Sequence, residues 1–163
     1  MNTTTNPIEP VVKHLDVNTN AQTAFAVFVQ RIGRWWPLTS HSISPEAEGA
    51  PAADCKIEPR VGGRVFEVGP SGQEYTWGEV TVYEPGARIC FTWHLARSAE
   101  EASEVDMVFK EKGKSDSAST HVTLTHRNWE NFGDTPRTLR DGYNEGWDHV
   151  FGECYANAVD AAA

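Results

Sequence analysis

Leu139, Tyr143, Trp147, Val150, Phe151, Cys154 and Ala158 recur every three or four residues near the end of the chain. The spacing predicts a terminal helix of about six turns with a single apolar stripe. Thr135 before Pro136 suits a cap followed by proline at the first helical position. A helix with that much aromatic surface on one face needs a wide apolar partner, and the preceding segments supply one as strands. In Arg88–Leu95, Ile89, Phe91, Trp93 and Leu95 share one face, and Arg88, Cys90, Thr92 and His94 share the other. That segment and Gln73–Tyr83 flank Glu84-Pro85-Gly86 as a hairpin. Glu104–Glu111 and Thr120–Thr125 form another, joined by the polar run KGKSDSAS.

The first half adds a strand from Val11 and a helix, AQTAFAVFVQRI, with Asn20 as its N-cap. Gly33 ends that helix, and Trp35-Trp36-Pro37-Leu38 follows. Residues 39–53, rich in Ser, Pro, Ala and Glu, read as a mobile excursion. Two short strands then flank Val61-Gly62-Gly63, where adjacent glycines permit a turn with positive φ. Residues 1–9 and 160–163 read as disordered tails around a single domain at 10–159. The expectation is an α+β domain: one curved antiparallel sheet of six to seven strands, wrapped around the long C-terminal helix, with one or two short helices after the first strand.

A chain of 163 residues buries roughly 70% of the surface its unfolded form exposes and needs no covalent staple. Fourteen basic against 23 acidic residues leave a formal charge of −9, which repels phosphate backbones and anionic membranes and argues against nucleic acid as a partner. Three cysteines without a CxxC pair fit neither a disulfide framework nor a zinc knuckle. No basic segment precedes an apolar run and no membrane-span pattern appears, so a cytoplasmic location is expected. Asn2-Thr3-Thr4 matches a glycosylation acceptor by chance in that setting.

The order of elements, together with Gly62-Gly63 before a strand, Gly78-Glu79-Val80 leading to Glu84-Pro85, Phe91-Thr92-Trp93, Leu124-Thr125-His126 and Gly146-Trp147, resembles the family of the activator of Hsp90 ATPase homologue 1, within the START-like or Bet v 1-like superfamily. The resemblance runs from about Val11 to Val159. It implies a helix-grip fold with an apolar tunnel between sheet and terminal helix. It also admits several roles, since members include lipid carriers, polyketide cyclases, self-sacrificing resistance proteins and co-chaperone domains, and fold does not decide among these.

The residues support a tunnel on their own account. Gly142, Gly146 and Gly152 each cost about 1 kcal/mol relative to alanine inside a helix, and Gly142 and Gly146, one turn apart, would leave a groove beside Tyr143 and Trp147. Phe91, Trp93, Met107, Phe109 and Leu124 would face it. The expected ligand-contacting set is Trp35, Trp36, Phe91, Trp93, Met107, Phe109, His126, Tyr143, Trp147 and Phe151, with Trp35 and Trp36 as a lid or a plug. The alternative, in which these rings simply pack into a solid core, stays open.

Polar chemistry is sparse. His126 shares the inward face of Leu124, as a tunnel group or a satisfied structural histidine. His41 and His94 read as ordinary surface residues. Asp141, Glu145 and His149 are spaced by four but lie off the apolar stripe, as a solvated face rather than a metal site. No cysteine has a histidine neighbour in sequence, no GxSxG elbow occurs, and Gly62-Gly63 lacks a phosphate-loop pattern. No metal or cofactor is expected. Glu67, Glu79 and Tyr75 sit on strands whose inward face one residue of slip would exchange. The alternation groups Trp77 with Glu79, Thr81 and Tyr83, which expects it at the rim or outside. The leading expectation is a small apolar or aromatic ligand held in the tunnel. The alternatives are a module binding Hsp90-type chaperones or a second copy of the chain, and a cyclase or hydrolase using His126 and Glu79.

Overall fold

The computed structural model describes residues 8–95, 98–113, 118–131 and 136–162. Thr135, the expected cap, lies outside them, as do residues 1–7. Seven antiparallel strands run in the order β1 (Val11–Val17), β7 (Ser119–Arg127), β6 (Ser103–Lys112), β5 (Arg88–Trp93), β4 (Glu74–Glu84), β3 (Arg64–Val68) and β2 (Asp54–Ile57). Between β1 and β2 the chain forms α1 (Ala21–Gln30), α2 (Ile32–Trp35) and α3 (Ser44–Glu48). The closing helix has three parts: α4 (Pro136–His149), a π-helical turn (Val150–Tyr155) and α5 (Ala156–Ala162). It continues to Ala162, two residues past Asp160, where a disordered tail was expected.

The sheet keeps one face dry. Ile89, Phe91, Trp93, Val105, Met107, Phe109, Val122 and Leu124 are buried. The opposite face carries Arg88 on Asp106, and Arg127 on Glu104 and Asp106. Asn20 caps α1 as its sequence suggests, its Oδ1 accepting from Thr23 N at 2.7 Å. Tyr155 ties the closing helix to α1 by donating to the Ala24 carbonyl at 2.6 Å.

Trp77 departs from the expected alternation and is fully buried. β3 pairs Phe66 with Thr76 but Val65 with Gly78, so Trp77 is the extra residue of a β-bulge. The bulge flips the parity of β4, putting Trp77 and Val80 on the inner side and leaving Glu79 exposed. It also lets the Trp77 carbonyl accept from His94 N at 2.7 Å. Gly78 is required beside it, because an added Cβ would run into the Thr92 carbonyl.

The segment 39–53 is a packed element rather than an excursion. Its anchor is Glu67, fully buried on β3. The carboxylate accepts from Ile43 N at 2.6 Å, Ser44 N at 2.8 Å, Ser44 Oγ at 2.5 Å and Trp77 Nε1 at 2.6 Å. Four donors, two of them at the start of α3, replace the water that a buried carboxylate would otherwise need. Glu48, at the other end of α3, accepts from Tyr75 Oη at 2.7 Å and from Ser71 N at 3.0 Å. Carboxylates at both ends thus pin the segment to the sheet, and composition alone could not reveal either.

Candidate functional site: a tryptophan-walled cavity

At the end of the interior where α2, the segment after it, β5 and α4 converge, a cavity of about 220 Å³ remains. Trp36, Trp93 and Trp147 wall it, with Leu95 and Val150. Ser40, His41, Ser42, Tyr143 and Gly146 complete the lining. Trp36 touches four other indoles, with centroids 5.2 Å from Trp77, 5.7 Å from Trp93, 5.8 Å from Trp35 and 5.9 Å from Trp147.

The rings are fixed by their polar edges as well as by packing. Each of the six indole N–H groups has a protein acceptor. Trp36 Nε1 donates to the His41 carbonyl at 2.7 Å, Trp93 Nε1 to Tyr143 Oη at 3.1 Å and Trp147 Nε1 to His126 Nδ1 at 3.0 Å. Trp77 uses Glu67, Trp35 the Val27 carbonyl and Trp129 the His126 carbonyl. Rings held this way cannot slide together to close the gap, and a gap between them persists.

The ten expected contact residues divide between wall and core. Trp36, Trp93, Tyr143 and Trp147 line the cavity. Trp35, Phe91, Met107, Phe109 and Phe151 are buried away from it. Trp35 packs on Phe28 and Tyr155, Phe109 on Phe25, and Phe151 stacks on Tyr155. His126 is fully buried behind Trp147. Indole N–H can only donate, so Nδ1 of His126 accepts and Nε2 carries the proton. Nε2–H donates to Ser103 Oγ at 2.6 Å, and the Ser103 hydroxyl in turn donates to the Trp93 carbonyl at 3.0 Å. Burial holds His126 well below the ordinary histidine range. It is a satisfied neutral strut for two of the tryptophans. Glu79, paired with it in the enzyme alternative, is exposed on β4, and the two do not meet.

His41, whose sequence setting suggests a surface residue, lines the cavity. Its ring lies 5.8 Å from that of His149, and burial, then the neighbouring His149, holds it below its ordinary value. The signal in the sequence was Trp36 itself: a buried indole N–H needs an acceptor, and the polar Ser40-His41-Ser42 run follows within reach. Of the two glycines expected to groove the helix, Gly146 lines the cavity, whereas Gly142 faces open space. The π-helical turn places residues five apart in register, bringing Cys154 Sγ to 3.6 Å from His149 Nε2. A histidine neighbour therefore exists where the sequence showed none, yet burial and Glu153 push the thiol up rather than activating it. Asp141, Glu145 and His149 are exposed on α4, and among the described residues no three His, Cys, Asp or Glu side chains gather as a metal-holding group. No described helix is long and apolar enough to cross a membrane.

A bent seven-stranded sheet closed by a long terminal helix, with a residual cavity between them, defines a helix-grip domain of the START-like class. Residues 18–156 match the family described as activator of Hsp90 ATPase homolog 1-like protein, and the chain belongs to that family. Among solved structures it is similar to CalC, a self-sacrificing resistance protein from Micromonospora echinospora, with 20% identity and a TM-score of 0.69 over 95% of this chain and 96% of that one. It is similar to protein MLL2253 from Mesorhizobium loti, with 18% identity and a TM-score of 0.67 over 95% and 99% of the two chains. It is also similar to Txn09, an anthrahydroquino-gamma-pyrone synthase, with 26% identity and a TM-score of 0.62 over 93% and 97%. No curated protein gives a match.

Proposed function

We propose that the protein binds a small aromatic molecule in the tryptophan-walled cavity. The observation that carries this reading is an unfilled space of about 220 Å³ whose walls are indoles already anchored to the protein. It exceeds the roughly 150 Å³ apolar cavity known to admit benzene and falls short of the ~300–1,000 Å³ of drug-sized sites. One or two fused rings fit that range. Indole faces suit a flat guest, which stacks on them without needing their N–H groups. The similarity to a synthase whose name contains a fused-ring aromatic supports the same ligand class.

A thermal-shift screen of one- and two-ring aromatics tests the reading, because a ligand bound only by the folded state raises the melting temperature. Naphthalene-2-methanol should raise it in a concentration-dependent way. No shift from any member of such a set would contradict the proposal. The family description supplies a second reading, a contact with an Hsp90-type chaperone, and co-purification with purified Hsp90 separates the two.

A further inference from the structure

The cavity is apolar on three sides and polar on one. Trp36, Trp93 and Trp147 offer only faces and C–H edges, since their N–H groups are engaged with His41 O, Tyr143 Oη and His126 Nδ1. On the polar side Ser42 donates its hydroxyl to the Leu38 carbonyl at 2.6 Å. His41 is different. Its Nδ1 lies 2.7 Å from Ser40 Oγ, while its Nε2 faces Gly146 and has no hydrogen-bond partner among the described residues. No acidic residue lines the cavity.

Among the described residues, none of the charged and titratable groups around His41 bonds to its open Nε2. From the closing helix the facing group is His149, which engages Glu153 Oε1 at 3.3 Å and Cys154 Sγ at 3.6 Å. Beneath the next residues of its own segment lies Glu67, fully committed to Ile43, Ser44 and Trp77. Tyr143, from α4, brings no charge. An imidazole with one nitrogen supported by a serine and the other open can hold a second proton if an anion meets that second nitrogen. The serine oxygen then accepts from Nδ1–H and the anion from Nε2–H.

We propose that the cavity selects aromatic acids, with the ring against Trp36, Trp93 and Trp147 and the carboxylate on Nε2 of His41, which takes a proton from solvent as the ligand binds. This rests on the aromatic-binding reading and adds the chemical class of the guest. A quaternary ammonium guest, the other class that aromatic walls attract, is disfavoured because the indoles pack against one another instead of enclosing a point, and because no acidic residue lines the cavity.

The test is calorimetric titration with 2-naphthoate and with naphthalene-2-methanol, a neutral molecule of similar shape, from pH 5.5 to 8 in buffers of different ionisation enthalpy. The naphthoate carboxylate stays ionised over this range. At pH 6 naphthoate should bind about tenfold more tightly, the order expected of one charge-assisted hydrogen bond. That advantage should shrink as pH rises, and the buffer dependence should report net proton uptake. His41→Gln should abolish the preference for naphthoate over the alcohol and the proton uptake, read as the ratio of the two affinities in the variant; a His41→Asn variant with an unchanged melting temperature serves if the glutamine variant folds poorly. Binding of the alcohol with no preference for naphthoate, or a preference that survives in both variants, overturns the inference and leaves the aromatic reading intact. Failure of both naphthalenes to bind overturns both, as does tight binding of tetramethylammonium alone.

Discussion

The two ends of the interior are built from the same kind of residue and end in different states. At one end Phe25, Phe28, Phe109, Phe151 and Tyr155 meet edge to face or stacked, with centroids 5.2–6.5 Å apart, and none of them lines the tryptophan-walled cavity. At the other end Trp36, Trp93 and Trp147 are just as close, at 5.7–6.0 Å, and a cavity remains. The difference lies in what holds the rings. The four phenyl rings have no polar atom and settle wherever packing is densest, and of the five only Tyr155 is tethered, by its hydroxyl on the Ala24 carbonyl. Each indole is tied by its N–H to one acceptor and keeps that position whether or not the space beside it is filled. Polar tethering within an aromatic cluster can therefore preserve a void that packing alone would close.

Substitutions at the two ends should separate these two ways of holding a ring. Phe28→Ala, at the filled end, should have the largest effect, a loss of about 3–5 kcal/mol in urea unfolding, with little direct change at the cavity. Glu67→Gln should cost about 2–3 kcal/mol, since an amide NH₂ would face donors that had a carboxylate. It should also expose the 39–53 segment to limited proteolysis and so loosen the tryptophan end specifically. A Phe28→Ala variant that lost no more than a surface substitution would erase the contrast.

Acid should weaken the same end. His126 is buried neutral, so its folded pKa lies below its unfolded value of about 6.5. The unfolded chain then binds the extra proton first, and stability falls as pH drops below that value, by up to about 1.4 kcal/mol per unit for one group. His126→Gln should flatten this slope between pH 6.5 and 5 in denaturant titrations. The smallest effect concerns Gly146→Ala. The added methyl would make ordinary contact with His41, and helix propensity favours it by about 1 kcal/mol at most. Thermal melting should rise slightly while affinity for naphthalene-2-methanol falls, because the methyl occupies the cavity.

Periodicity carried most of the fold. The stripe from Leu139 to Ala158 and the alternation in Arg88–Leu95 locate the closing helix and the dry face, because both follow from side-chain direction in regular backbone. What escaped depended on irregular backbone or on long-range polar contacts. Trp77 was misplaced because a bulge changed the strand's parity. The 39–53 segment was misread because its order comes from Glu67, on a strand beyond it in sequence. His149 and Cys154 meet because a π-helical turn puts residues five apart side by side. At the site Trp93, Tyr143 and Trp147 are legible as large apolar residues on inward faces, and Trp36 as part of a lid or plug. Which rings line space and which fill it was not, since that depends on volumes left over after packing. His41 was hidden by its polar neighbours, although the need of Trp36 for an acceptor pointed to its segment.

The most direct test of the central claim is to follow the six indole N–H resonances by two-dimensional ¹H–¹⁵N NMR during titration with naphthalene-2-methanol. The account predicts that the signals of Trp36, Trp93 and Trp147 shift together and saturably, while those of Trp35 and Trp129, locked in filled regions, stay in place. Six unmoved signals, or shifts spread equally over all six, would contradict it.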